Sequence, residues 1–181
     1  MDPELVIRAR HGDGEAFASL AVACGDRLHA IAHRILRDVD LAEDATQQAL
    51  LAIWQNLPTL RDPARFDAWS YRLLVNACYD EGHRRGVWKP NLALLHDDAA
   101  APDALGQVHD RDQLERGFRR LSIDHRAVVV LHTYAGLSLE EIADTLGIRP
   151  GTVRSRLHYA VRAMRAALDA DERPALGEVA P

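Results

Sequence analysis

His29 and His33 stand one helical turn apart, a spacing at which two imidazoles can share a metal ion. Asp40 and Asp44 are also one turn apart, with Glu43 beside Asp44, and carboxylates so placed can share a hard cation. Neither group is a complete metal set, and no histidine joins the three carboxylates nearby. The nine histidines have no nucleophile partner in a recognisable arrangement, and no Gly-rich phosphate-cradling loop occurs. Cys24 and Cys78 show neither CxxC nor Cys/His metal spacing, and both lie among apolar residues, as small buried hydrophobes do. The expectation is a chain with no catalytic residue, no metal and no cofactor.

Charge is a stronger signal. The chain carries a formal net charge of −5, yet Arg149 to Leu168 contains five arginines and no acid. Residues 1–85 hold 10 basic and 13 acidic side chains, residues 86–110 hold 1 and 4, and residues 111–181 hold 11 and 10. Lys89 is the only lysine. An acidic total argues against a nonspecific polyanion binder, whereas one concentrated arginine segment suits recognition of phosphate or base edges.

Helices must present these groups. Apolar residues make up 48% of the chain, enough for a packed core, and strand-like alternation is absent. No run of 18 apolar residues occurs and the first residues are polar, so neither a membrane span nor a signal peptide is expected. A cytoplasmic location follows as an expectation.

The last third holds the sharpest local pattern. Ser138-Leu139-Glu140-Glu141 has a hydroxyl at the N-cap and a glutamate three residues on, a capping box. Ile142, Ala143 and Leu146 form an inward face, and Gly147 breaks the helix where the turn needs positive φ. Ile148 plugs the turn and Pro150 suits a helix start. Val153, Leu157, Val161, Met164 and Leu168 read as the buried stripe of the following helix. The pair is a helix-turn-helix, whose second helix exposes Thr152, Arg154, Ser155, Arg156, His158, Tyr159 and Arg162 to DNA.

The front of the chain has a different chemistry. Asp13 is a plausible N-cap for a helix whose stripe is Phe17, Leu20, Cys24, Leu28, Ile31 and Ile35. In DVDLAEDATQQALLAIWQNL one face is apolar and the opposite face carries Asp40, Glu43, Asp44, Gln47, Gln48 and Leu51. The tryptophans Trp54 and Trp69 lie on apolar stripes and read as core rather than stacking platforms. Pro58 and Pro63 bracket a loop before a helix that contains Trp69, Leu73, Asn76 and Asp80. The composition then shifts in VWKPNLALLHDDAAAPDALGQV, an inter-domain linker by its prolines, acids and alanines.

The segment SIDHRAVVVLHTYAGLSLEEIADTLGIRPGTVRSRLHYAVRAMRAAL resembles the −35-binding region of bacterial sigma-70-family factors. LVIRARHGDGEAFASL, DVDLAEDATQQALLAIWQNL and FDAWSYRLLVNACYDEGHRR resemble, in order and spacing, the other DNA-contacting domain of that family. With no domain between the halves, the layout is similar to the extracytoplasmic-function (ECF) group. The resemblance implies an all-α fold of two small helical domains. Residues 1–86 would be the region 2-like domain, 87–109 a flexible linker, 110–169 the region 4-like domain and 170–181 a tail.

Roles follow from the same resemblance. Asp40, Glu43, Asp44, Gln47 and Gln48 would dock on the β′ clamp helices of core RNA polymerase, and the C-terminal domain on the β flap. The loop Leu57–Phe66, with Arg61 and Arg65, would take up a flipped −10 base. Tyr71, Arg72 and Asn76 would project near the −10 strand, with His83, Arg84, Arg85 and Lys89 on phosphates. Promoter DNA, core polymerase and an anti-sigma factor that wedges between the domains or wraps them are the implied partners. A stand-alone helix-turn-helix regulator is the main rival, and an enzyme with an acidic metal site the second.

Overall fold

The computed structural model describes residues 1–86 and 117–171. The linker 87–109, Lys89, most of the expected helix Arg111–Arg120, the Leu168 side chain and the tail beyond 171 lie outside the described residues.

All regular structure among the described residues is helical. The front half consists of α1 (Pro3–Arg10), α2 (Gly14–Leu36), α3 (Val39–Asn56) and α4 (Phe66–Arg84). The back half contains α5 (Ile123–Thr133), α6 (Leu139–Leu146) and α7 (Pro150–Asp171). The short α1 was not expected from the periodicity; Asp2 caps it by accepting from the Glu4 amide.

Local chemistry sets the helix ends. The Asp13 carboxylate accepts from the Ala16 amide and starts α2, as its position suggested. Arg37 closes α2 at φ 63°, and Asp38 at once caps α3 through the Leu41 amide at 2.9 Å. A left-handed residue followed directly by an N-cap folds α2 back along α3. Two single 3-10 turns, Leu57–Thr59 and Pro63–Arg65, then shape the loop into α4.

The front core is the stripe read from the sequence: Leu20, Cys24, Leu28, Ile31 and Ile35 of α2 are buried against Leu41, Ala45, Ala49 and Ile53 of α3. Phe66, Leu74 and Cys78 close it from α4. Truncating a fully buried leucine such as Leu20 or Leu74 to alanine costs about 2–5 kcal/mol.

The back core differs from expectation in one position. Val161 is 38% exposed, and the buried stripe of α7 runs through Val153, Ala160 and Ala167, with Leu157 and Met164 half-buried. At 3.6 residues per turn, steps of three and four must alternate, and two successive steps of four, Val153 to Leu157 to Val161, carry Val161 off the face that Val153 sets.

The two helical domains pack against each other. α5 packs on α2 and α6 packs on α4, so that Ile123, Ala127, Val130 and Leu131 share one buried cluster with Leu28, Ile31 and Ile35. This contact was not legible from either half alone.

Candidate functional site

The acidic face sits on α3. Asp40, Glu43, Asp44 and Gln47 are all exposed on it, while Ala42, Ala45 and Ala49 on the reverse are fully buried. Gln48 is half-buried and does not face outward freely. Its amide donates to Glu81 of α4 at 2.7 Å. Glu81 is buried, and Arg84 pairs with the same carboxylate oxygen.

An apolar surface continues from this face. Leu51 is 61% exposed and Trp54 44% exposed. They line a groove with Phe17, Ala21 and Leu50, to which Gln47 also contributes. Trp54 was expected in the core; instead its ring meets Phe17 edge-on at 4.6 Å and leaves much of its surface open. Position 54 lies one residue beyond Ile53, whose side chain fills the inward direction.

The loop Leu57–Phe66 is anchored at both ends. Leu57, Leu60 and Phe66 are buried, and Arg10 of α1 donates to the Leu60 carbonyl at 3.1 Å. Asp62 caps the second turn through the Ala64 amide at 3.0 Å. A cleft of about 300 Å³ opens beside it, lined by Leu60, Arg61, Arg65, Trp69 and Arg72 from the front half and by Asp144 and Thr145 from α6. Trp69 is half-buried, tilted against Phe66 at 6.0 Å.

Most of the proposed −10 set is on the surface. Arg61, Arg65, Arg72, Asn76, Arg84 and Arg85 are exposed, as is His83. Tyr71 departs from the expected projection: it is 2% exposed and lies on the α4 stripe with Leu74, Val75 and Cys78. Arg27 stacks over its ring at 5.4 Å, and its hydroxyl has no hydrogen-bond partner among the described residues. Burial pushes the phenol up to about 12. Gly82 is buried within α4, which continues to Arg84.

The helix-turn-helix forms as the sequence indicates. Ser138 accepts from the Glu141 amide while the Glu141 carboxylate accepts from the Ser138 amide at 2.8 Å. Those bonds hold the Glu141 carboxyl below its usual range. Gly147 ends α6 at φ 64°, and the Ile148 amide bonds the Ala143 carbonyl at 3.1 Å. On α7, Arg154, Ser155, His158, Tyr159 and Arg162 are exposed and Thr152 is half-buried. Arg154 approaches Glu140 at 3.8 Å, both well exposed, a pairing of little energetic weight. Tyr159 tilts against His125 at 4.6 Å.

Arg156 is different. Its guanidinium pairs with Asp124 at 3.2 Å and its side chain is only 24% exposed. Asp124 also accepts from the Tyr79 hydroxyl of α4 at 3.2 Å. Neither Asp124 nor Tyr79 was singled out in the sequence, because their meeting joins residues 45 apart.

Other side chains are more readily assigned to structure. Burial pushes the Cys24 thiol up to about 11 and the Cys78 thiol further, as expected of buried cysteines. The His29 and His33 rings stack at 6.4 Å. Among the described residues no group of three or more metal-ligating side chains forms, and no helix is long and apolar enough to cross a membrane.

Comparison with known proteins bears on both surfaces. The family description "Sigma-70 region 2" matches residues 20–88, and "Sigma-70, region 4" matches residues 111–164. The chain is 37% identical over 167 residues to the ECF RNA polymerase sigma factor SigL of Mycobacterium tuberculosis (strain H37Rv), covering 87% of this chain and 93% of the relative. Among solved structures it resembles CnrH in complex with the cytosolic domain of CnrY, with TM-score 0.67, 28% identity, and 94% and 99% of the two chains covered. It also resembles the sigma factor RpoE bound to the anti-sigma factor NepR from Bartonella quintana, with TM-score 0.65, 25% identity, and 86% and 98% covered.

Proposed function

The chain belongs to the ECF group of RNA polymerase sigma factors, and from that premise we propose which of its surfaces meets which partner. A sigma factor is a non-enzymatic subunit, so the polymerase makes the bonds and this chain supplies position.

The exposed Asp40, Glu43, Asp44 and Gln47 on one face of α3 carry the docking assignment. An ordered row of acids and an amide suits a cationic helical partner such as the β′ clamp helices. Leu51, Trp54 and Phe17 extend that face with apolar surface, giving the interface a buried centre beside its charged part. Gln48 supports the face from behind through Glu81.

DNA is met elsewhere. The cleft beside the loop Leu57–Phe66 has the mixed lining a flipped base requires, with Trp69 and Leu60 for the ring and Arg61, Arg65 and Arg72 for edges and phosphates. Asn76, Arg84 and Arg85 continue this surface along α4. On α7, Thr152, Arg154, Ser155, Arg156, His158, Tyr159 and Arg162 serve the −35 major groove. The C-terminal half meets the β flap. The site of action is the cytoplasm. The likeness to the sigma factor RpoE solved with the anti-sigma factor NepR supports an anti-sigma partner for this chain.

The test is equilibrium binding to purified core polymerase. Reversal of Asp44 to lysine should weaken binding at least tenfold, while the exposed position keeps the melting temperature close to that of the wild type. Unchanged binding after reversal of Asp40 and Asp44 together contradicts the docking face.

A further inference from the structure

Helix α2 ends among positive charges. Arg34 stands in its last turn and Arg37 at its C-cap. Arg37 lies within electrostatic reach of Arg34, Arg119, Arg126 and His33. Burial, then Arg119 and Arg34, hold the Arg37 guanidinium below its usual value. Asp38 counters part of this charge at His33, but its carboxylate is engaged in capping α3 through the Leu41 amide at 2.9 Å.

Arg126 is the decisive member. It belongs to α5, where its neighbours Ile123, Ala127 and Val130 share the buried cluster with α2, and it is itself 7% exposed. Its Nε has no hydrogen-bond partner among the described residues, and no carboxylate acts on it there. Burial, with Arg37 nearby, pulls the guanidinium down to about 10, which leaves it charged at neutral pH. The half-buried Arg10 and Arg156 each have an acceptor, the Leu60 carbonyl at 3.1 Å and Asp124 at 3.2 Å. A guanidinium taken out of water without a counter-ion, beside a like charge, is strongly disfavoured.

We propose that Arg126, Arg37 and Arg119 form an oxyanion site at the end of α2, taking a small ligand of the phosphate class: inorganic phosphate, pyrophosphate or the phosphate end of a nucleotide. A guanidinium forks to two oxygens of one anion, and a tetrahedral anion with two or more charges can face several forks at once. Chloride offers no fork, and a single carboxylate balances one charge. Arg34 adds its charge from a fixed position, since it donates to the Ala30 carbonyl at 2.9 Å and stacks over the Tyr134 ring at 3.9 Å. Arg119 is exposed and completes the site from outside. None of these residues belongs to either DNA-contacting set or to the acidic face of α3, so the site stands apart from those assignments.

Pyrophosphate is the probe. Isothermal titration of the full chain should show saturable binding of one pyrophosphate with Kd below about 1 mM, against sodium chloride of matched ionic strength. Arg37→Gln should weaken it at least tenfold. Arg126→Met removes the buried charge and keeps much of its volume. In chloride this variant should melt at or above the wild-type temperature, whereas saturating pyrophosphate should raise the wild type by about 5–10 °C more than the variant. The difference is the readout, because multivalent anions raise any melting temperature by exclusion from the surface.

A response that never saturates, or equal binding by wild type, Arg37→Gln and Arg126→Met, overturns the site. A randomised DNA duplex separates the other source of phosphate. Loss of duplex binding in Arg37→Gln without saturable pyrophosphate binding overturns the small-ligand site and gives these arginines to the DNA backbone. Should Arg126→Met fail to fold, Arg37→Gln at the half-buried C-cap carries the same test by titration alone.

Discussion

The Gln48 side-chain amide donates to the Glu81 carboxylate at 2.7 Å, joining the back of α3, the proposed docking helix, to the cationic end of α4. Glu81 is 3% exposed, and its partners Gln48 and Arg84 belong to two different proposed interfaces. A buried carboxylate needs such partners, since an ion left without them in a low dielectric is strongly disfavoured.

Replacing Gln48 by leucine leaves Glu81 to Arg84. A loss of about 1–3 kcal/mol in urea unfolding is expected, the cost of stripping a hydrogen bond from a buried charged group. The same substitution at exposed Gln47 should change stability by no more than about 0.5 kcal/mol. Equal effects at the two positions contradict the link to Glu81.

Two imidazoles set an acid limit before the carboxylates do. Burial, then Arg156, holds His125 below the usual range; burial, then Arg37, does so for His33. The folded chain favours the neutral rings. Their contribution is complete above the ordinary imidazole value near pH 6.5 and is lost as pH falls from there through the folded values. Asp13 and Glu141, held low by hydrogen bonds from backbone amides, keep their contribution until pH passes below the ordinary carboxylate range. Melting temperature should therefore decline between about pH 7 and pH 5. His125→Gln should flatten that decline, and an unaltered slope contradicts the role of His125.

Trp54 separates docking from folding. Its open ring gives the α3 face an apolar anchor, and truncated anchors of that kind cost upwards of about 2 kcal/mol of binding. Trp54→Ala should weaken affinity for core polymerase by tenfold or more, with far-UV circular dichroism unchanged. Full affinity would show that the groove beside Phe17 lies outside the interface.

Much of this was legible because it is local. The capping box Ser138–Glu141, the positive φ at Gly147 and the α2 stripe from Leu20 to Ile35 depend on residues a few positions apart, and the chain displays them directly. The acidic face of α3 was legible for the same reason. Tyr71 and Trp54 went the other way. Each stands on a helix where one residue decides between inside and outside, and what settles it is a distant neighbour: Arg27 against Tyr71, Phe17 against Trp54. Asp124 was invisible because its meaning comes from Tyr79 and Arg156, which no sequence period brings together. Family resemblance suggested which surfaces to propose; it did not show that the two halves pack on each other.

Promoter-directed transcription with purified core polymerase tests the central claim most directly. On a pool of genomic promoter fragments, wild-type chain should yield discrete start sites that are absent without it, and the Asp40→Lys, Asp44→Lys double variant should yield none while remaining folded. Absence of chain-dependent starts across the pool, or undiminished starts from the double variant, would contradict the assignment of this chain as the subunit that brings polymerase to its promoters through the α3 face.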